Sequence, residues 1–440
     1  MNPPRTDQRS DFLGELAWRG LLYQRTAETE LDEHLATPGR VGYCGFDPTA
    51  DSLTIGNLIA IRLLMLWQRC GHRPIALVGG ATALIGDPSG KDAERPMLRS
   101  DQVEHNVQSQ RRILERLLDF DSANPCGAVL VNNWDWLGKL GFLMVLRDVG
   151  KHFSVNAMIQ REAVKERLHG RGQGISYTEF SYALLQAYDF LHLRREHGCT
   201  VQTAGSDQYG NIVSGIDLIR RVLGSDEGAA YGITSPLVTH ADGRKIGKTE
   251  RGAVWLTADR TSPYAFYQYW INVADGEVES FLKWFTMLDA PEIDAVVKRH
   301  GEAPHERHAQ RALADHMTEL LHGGDERRRV AEASEAIFGR GDLRALDEGT
   351  LAQVVDELPT SRHPRDRLAG EGCALVDLLP ETELARSKRE AREFLANGAV
   401  SVNGERVDDP ERRLGTADLL HSRSVLLRRG KKQWAATVWE

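Results

Sequence analysis

The strongest constraint on how this chain folds is a repeated pairing of short apolar runs with longer helical stretches. Val41-Gly42-Tyr43-Cys44-Gly45-Phe46 is rich in strand formers and stops at the turn signal Asp47-Pro48-Thr49. A helix follows near Leu58–Trp67. Pro74-Ile75-Ala76-Leu77-Val78-Gly79-Gly80 reads as a second buried strand, Gly127–Val131 as a third and Thr200–Gly205 as another. Strands alternating with helices predict an α/β fold with a parallel sheet covered on both faces. Residues 11–37 read as one helix, with Leu13, Leu16, Leu21 and Leu22 on an apolar stripe. Ser176-Tyr177-Thr178-Glu179 is a capping box, so a helix should run from there to about Leu193. Ser206-Asp207-Gln208 opens another helix, through Val222.

Beyond Gly252 the pattern is helical and irregular up to about Leu346, and Thr350–Cys373, with two prolines and many charges, reads as a linker. The tail from about Ala374 begins with a basic helix and then shows hairpin signals at Asn403-Gly404 and Arg429-Gly430. A chain of 440 residues has room for about two to four such domains. At 41% apolar and 27% charged residues the composition is globular, which excludes disordered and collagen-like classes. No apolar run reaches the roughly 18 residues that span a bilayer, and Met1–Asp7 lacks an apolar signal core. Five widely spaced cysteines without a C-x-x-C argue against a disulfide framework and structural zinc, and for a reducing cytosol. The net charge of −8 gives no general nucleic-acid footprint. Residues 381–440 alone hold 12 Lys and Arg against 10 Asp and Glu, so any polyanion partner belongs to the tail.

The common phosphate cradles are absent. Gly86-Asp87-Pro88-Ser89-Gly90-Lys91-Asp92 misses the P-loop spacing, and no G-x-G-x-x-G follows a strand. Two other segments suit an anion. Thr49–Leu58 is a turn feeding a helix N-terminus, with free N–H groups and partial positive charge. Gly56 within it has no side chain, so a flat ring can pack on the backbone. Downstream, Gly243-Arg244-Lys245-Ile246-Gly247-Lys248-Thr249 is a mobile basic loop suited to clamping a triphosphate. Taken singly, each also reads as an ordinary helix cap or solvated turn.

On the helix after Ser176, Tyr182, Gln186 and Asp189 fall on one face. A phenol, an amide and a carboxylate make a poor core stripe but suit a pocket for a small polar molecule. A solvated helix side fits the same pattern, although Phe180, Leu184, Leu185 and Phe190 around it suggest burial. Gln202 and Gln208 bracket a strand end, where open parallel sheets bind ligands.

Together these residues resemble the bacterial tyrosyl-tRNA synthetase family of class I aminoacyl-tRNA synthetases. The most specific pieces are Tyr43–Leu53, Val78-Gly79-Gly80-Ala81-Thr82, Ile85-Gly86-Asp87-Pro88, Gly150–Asn156, Gly205-Ser206-Asp207-Gln208 and Lys245-Ile246-Gly247-Lys248-Thr249. The last looks like this family's version of the class I Lys-Met-Ser-Lys-Ser loop. The resemblance implies a ligase that activates tyrosine with ATP and passes it to tyrosine tRNA. Tyr43 and Asp189 would hold the substrate phenol, and Tyr182, Gln186, Gln208 and Asp87 its ammonium group. Thr82, Asn133 and Gln202 would line the same pocket. Cys44, Gly45, Asp47, Gly56, Asn57, Gly205 and Asp207 would face ATP. Thr49, Thr54, Lys245, Lys248 and Thr249 would act on the phosphates, with Mg2+ expected and no resident metal. The tail looks like an RNA-binding module shared with a ribosomal small-subunit protein, with Arg386, Lys388, Arg389 and Arg392 on its first helix. A cytoplasmic homodimer is implied.

The expected division is then a Rossmann-like catalytic domain over 1–245, a helical domain including the lysine loop over 246–350, a linker over 351–373 and the RNA-binding domain over 374–440. The chain departs from the family at Thr54-Ile55-Gly56-Asn57, where the class I His-Ile-Gly-His signature should stand. Asn57 can still bond a ribose oxygen, while Thr54 offers a shorter, neutral donor to the phosphates. Tyr209 and Ala204 are smaller changes. The departure suits a second, inhibitor-resistant or pathway-specific copy of the enzyme. Two alternatives stand beside the ligase: an enzyme activating tyrosine or an analogue for another acceptor, and a catalytically weak RNA-binding paralogue.

Overall fold

The computed structural model describes residues 11–89, 97–161, 164–165, 168, 174–338 and 341–440, with backbone only at 225–226. Gly90, Lys91 and Asp92 of the incomplete phosphate loop, and the Met1–Asp7 start, lie outside them. The chain divides into two units: residues up to Arg260 with Gly276–Val297, and Thr261–Asp275 with Lys298–Glu440.

The first unit is built on a six-stranded sheet. Its strands are β1 (Gln24–Arg25), β2 (Val41–Phe46), β3 (Arg73–Val78), β4 (Val129–Asn132), β5 (Cys199–Gly205) and β6 (Tyr231–Ser235), in the spatial order β1-β6-β5-β2-β3-β4. Strands β2 to β6 are parallel and β1 is antiparallel to β6. The order turns back between β2 and β5. Crossovers from these two strands leave in opposite directions, and a crevice opens beyond their carboxyl ends. The helix Ile55–Arg69 buries Ile55, Leu58, Ile61, Leu64 and Trp67, which gives β2 and β3 their cover.

The stretch expected as a single helix over 11–37 is two helices, Phe12–Arg19 and Glu28–Leu35, separated by β1. The break falls at Gly20, whose N–H bonds back to carbonyl oxygens of the first helix and closes it. Strand β6 has no sequence expectation behind it, because its five residues carry only two strongly apolar or aromatic side chains, Tyr231 and Ile233.

Segment 276–297, expected within a separate helical domain, belongs to the first unit. Three arginines tie it there. Arg19 donates to the carbonyl oxygens of Lys283 (2.7 Å), Thr286 (2.9 Å) and Leu288 (2.7 Å). Arg69 donates to Met287 O at 2.8 Å, and the buried Arg62 to Phe285 O. Burial pulls the Arg62 guanidinium down to about 9. Carbonyl partners of this kind are what let a buried guanidinium persist.

In the second unit the helices Pro263–Ile271, His308–His322, Gly324–Phe338 and Glu348–Glu357 pack together and lead into a five-stranded sheet. The expected linker over 351–373 is not one. It carries most of the helix Glu348–Glu357 and then the strand Thr360–His363, which pairs in parallel with the final strand, Gln433–Trp439. Its charges misled the sequence expectation, because an edge strand tolerates outward-facing charge. The tail does not begin with its basic helix either: the apolar helix Leu375–Glu381 precedes Lys388–Ala396. Both hairpins form, Val400–Val402 with Glu405–Arg406 and Ser424–Arg429 with Gln433–Trp439. No helix among the described residues is long and apolar enough to cross a membrane.

Candidate active site

The crevice beyond β2 and β5 gathers the polar stripe of the helix Tyr177–His197. Tyr43, on β2 beside Gln202 of β5, is 1% exposed, and its hydroxyl has no hydrogen-bond partner among the described residues. Burial, with the Asp189 charge second, pushes its phenol well above the usual range. Asp189 is itself buried. Its Oδ1 accepts from Trp136 Nε1 at 2.7 Å and its Oδ2 from Asn133 Nδ2 at 3.0 Å. Burial raises this carboxyl to about 7 in spite of those two donors. Gln202 Oε1, also buried, has no partner among the described residues.

The network continues outward. Ala81 N–H donates to Asn133 Oδ1 at 2.8 Å, which fixes the amide orientation. Asn133 Nδ2 also donates to Thr82 Oγ1 at 3.0 Å, and the Thr82 hydroxyl donates to Asp47 Oδ1 at 2.7 Å. The Tyr182 hydroxyl donates to Asp47 Oδ2 at 2.8 Å. Asp47, expected on the ATP side, therefore has its carboxylate tied to two residues of the tyrosine group. A Cβ on Gly79 would collide with both Asp47 Oδ1 and Thr82 Oγ1, so this backbone approach requires glycine. Asp47, Asp87 and Asp189 all raise the Tyr182 phenol, after burial, so three carboxylates face one small region. Asn211 joins the remaining amides, donating to Gln186 Oε1 at 3.2 Å and Gln208 Oε1 at 3.1 Å. Gln208 in turn donates to Asp87 Oδ2 at 2.7 Å and Asp207 Oδ2 at 3.1 Å.

Two participants have no sequence expectation behind them, Trp136 and Asn211. Each lies one helical turn past a residue that was chosen, Asn133 and Gln208, so i,i+3 spacing was the available signal.

On the other side of the crevice the lysine loop meets the signature turn. Thr54 bridges Trp255, Ile55 N–H donates to Val254 O at 3.1 Å, and Leu256 N–H donates to Leu53 O at 2.8 Å. Ile246 and Gly247 are buried while Lys245, Lys248 and Thr249 are exposed. Gly247 has φ +77°, and a Cβ there would lie 3.0 Å from Ile55 Cβ, so both conformation and contact require glycine. The loop belongs to the first unit, not to a helical domain. Its stem is held by Glu277, which accepts from Ala241 N–H at 2.6 Å and sits 3.2 Å from His240 Nδ1. Thr249 spends its hydroxyl on Gly252 O at 3.2 Å. Thr49 is exposed, with its N–H on Asp47 O at 2.8 Å. Gly56 and Asn57 are exposed on the turn, and Gly45, Gly205 and Asp207 border the strand ends. Burial drives the Cys44 thiol up to about 12, so it is a neutral neighbour.

Residues 39–339 match the family of class I tRNA synthetases for W and Y, and residues 350–437 match the tyrosine–tRNA ligase SYY-like C-terminal domain. The tyrosine–tRNA ligase of Porphyromonas gingivalis W83 is 47% identical over 98% of this chain and 100% of its own length. That of Bacillus caldotenax is 49% identical over 96% and 98%. The chain belongs to the tyrosine–tRNA ligase family. A C-terminally truncated mitochondrial tyrosyl-tRNA synthetase from Aspergillus nidulans superposes with a TM-score of 0.67 at 32% identity, over 76% of this chain and 95% of that one. The Rossmann-like α/β layout is the layout of this ligase family.

The ligase family's C-terminal domain match covers the sheet that begins at Thr360. There Lys388, Arg389 and Arg392 lie on the helix Lys388–Ala396, Arg386 just precedes it, and all four are exposed. Lys388 is paired with Asp377 at 2.7 Å.

Proposed function

We propose that the chain activates L-tyrosine with ATP, releasing pyrophosphate, and transfers the tyrosyl group from the adenylate to the 3′-terminal ribose of tyrosine tRNA. The observation that carries this is the unpartnered, buried Tyr43 hydroxyl, which feels the charge of Asp189, together with the grip of Trp136 and Asn133 on the Asp189 carboxylate. A carboxylate has about four lone-pair sites. Two donors leave room for a phenol O–H, with Tyr43 as its second contact. Phenylalanine would leave the buried Tyr43 hydroxyl without a partner and Asp189 with only its two protein donors.

Asp87, Tyr182, Gln186 and Gln208 then surround the ammonium group, favoured by the carboxylates of Asp47 and Asp87. Thr82, Asn133 and Gln202 shape the wall. Cys44, Gly45, Gly56, Asn57, Gly205 and Asp207 form the nucleotide side. The substrate carboxylate is already ionised, so its attack on the α-phosphate needs no base. Rate comes from alignment and from stabilising charge on the departing pyrophosphate. Lys245, Lys248 and Thr49 supply that stabilisation, and Thr249 joins them when its hydroxyl leaves Gly252 O. Mg2+ enters with ATP, whose phosphates provide its oxygen ligands.

Arg386, Lys388, Arg389 and Arg392 bind tRNA phosphates, with affinity that falls steeply with salt. The working form is a homodimer. Support comes from large apolar side chains left exposed between positions 134 and 155, among them Trp134, Phe142 (65%), Leu143 (79%) and Val155. The cytoplasm suits five free cysteines, of which Cys44, Cys70, Cys199 and Cys373 are buried. The two alternatives, another acceptor or a silent RNA binder, gain no support from relatives that are ligases along nearly their whole length.

Tyrosine-dependent ATP–pyrophosphate exchange followed by charging of tyrosine tRNA tests the function. Exchange with tyrosine but not phenylalanine, followed by charging, is the expected result. Equal exchange with both amino acids would defeat the pocket assignment.

A further inference from the structure

Resting on the ligase reading above, we infer that Thr54 is not a phosphate donor but a positioning residue that orients the Asn57 amide. The two replacements in the signature therefore act as one coupled unit. Thr54 N–H donates to Asn57 Oδ1 at 2.9 Å, and the Thr54 hydroxyl donates to the same oxygen at 2.9 Å. A backbone N–H can be satisfied only by an acceptor. The amide is therefore oriented with its oxygen towards Thr54 and its Nδ2 turned away. Asn57 is exposed, so that NH2 group faces the open side of the turn.

Thr54 faces Trp255 across a bridge whose hydrogen bonds are made by its neighbours Leu53 and Ile55, and Asn57 N–H donates to the Thr54 carbonyl oxygen at 2.9 Å. Its hydroxyl proton is committed to Asn57, leaving only lone pairs towards a phosphate oxygen. In this geometry it is an acceptor facing an anion. Asn57 Nδ2 is the side-chain donor at the turn, since the Ile55 and Asn57 N–H groups are already bonded to Val254 O and Thr54 O. Gly56 beside it adds no side chain to cover it, the nearest atom to a Cβ at Gly56 being Thr54 Oγ1 at 3.6 Å. The short, neutral donor expected at Thr54 is thus relocated: the donor is the Asn57 amide, and Thr54 sets its direction.

A double-mutant cycle in tyrosine-dependent ATP–pyrophosphate exchange tests this. Asn57→Ala should weaken kcat/KM for ATP about threefold to tenfold, the worth of one hydrogen bond. Thr54→Val, which loses the hydroxyl bond but keeps the backbone N–H bond to Asn57, should cost part of that loss, the double variant no more than Asn57→Ala alone, and Thr54→Ser should restore activity. The KM for tyrosine should stay unchanged in all of them. Thr54→His alone should give no gain, because it removes the hydroxyl bond that helps hold Asn57, while Thr54→His with Asn57→His should gain. Multiplicative losses in the Val/Ala double variant, a kcat loss in Thr54→Ser, or a gain with Thr54→His alone would overturn the proposal. Those outcomes leave the ligase reading standing. Absence of exchange in the unaltered chain would defeat that reading and this inference with it.

Discussion

Trp136 Nε1 lies 2.7 Å from Asp189 Oδ1, donating to a carboxylate that is itself buried. This bond, with that from Asn133, is what favours the charged form against burial. Trp136→Phe keeps the ring and removes the N–H. The expected outcome is a rise of about tenfold or more in the tyrosine KM, since hydrogen bonds to charged groups are worth roughly 1.5–3 kcal/mol. Exchange kinetics measure it, and an unchanged KM would reject the role.

Asp189 gives the enzyme a pH signature. Its carboxyl stands at about 7 in the fold, raised by burial from 3.8. Only the ionised form offers all its lone pairs to a phenol. The tyrosine KM should therefore rise as pH falls through about 7, and preference over phenylalanine should shrink. Stability runs the other way. The folded chain holds this proton more tightly than the unfolded one, so the carboxyl's contribution is lost as pH rises from about 4 to about 7. Kinetics and melting temperatures across that window, compared with Asp189→Asn, separate the two trends.

Glu277 grips the stem of the lysine loop from outside the crevice. Removing it in Glu277→Ala should lower kcat for activation about threefold to tenfold, the worth of one or two hydrogen bonds, and leave tyrosine binding intact. Trypsin should also cut sooner after the exposed Lys245 and Lys248. Glu277→Gln, which keeps the acceptor for Ala241 N–H, should fall between. Equal proteolysis rates in all three proteins would show that Glu277 does not hold the loop.

The RNA-binding end has a definite place to be cut. A chain ending at Glu357 removes the sheet whole. One ending at Ala374 leaves the strand Thr360–His363 without its parallel partner and exposes Leu368 and Cys373, which are buried in that core. The longer fragment should scatter more light on warming, as unpaired edges associate. Both should keep pyrophosphate exchange and lose most tRNA charging. A longer fragment as soluble as the shorter one would contradict the account.

What could be read from the sequence was whatever local pattern encodes. Strands β2, β3 and β5 are apolar runs with clear turn signals, and Tyr182, Gln186 and Asp189 share a helix face by spacing alone. What escaped depends on distant partners. Strand β1 exists because Gln24 and Arg25 find Thr234 and Ile233, two hundred positions away. Segment 276–297 is helical by pattern, yet Arg19, Arg62 and Arg69 decide where it docks. Thr54 could be identified as unusual, but only coordinates reveal that its hydroxyl is spent on Asn57.

The seam between Leu53–Gly56 and Ile246–Leu256 has a wider effect. It fastens the beginning of a long excursion of the backbone to its end, and Thr82, Asn133, Tyr182 and Asp189 all hang inside that closed circuit. A nucleotide docking at the knot would draw on both ends at once.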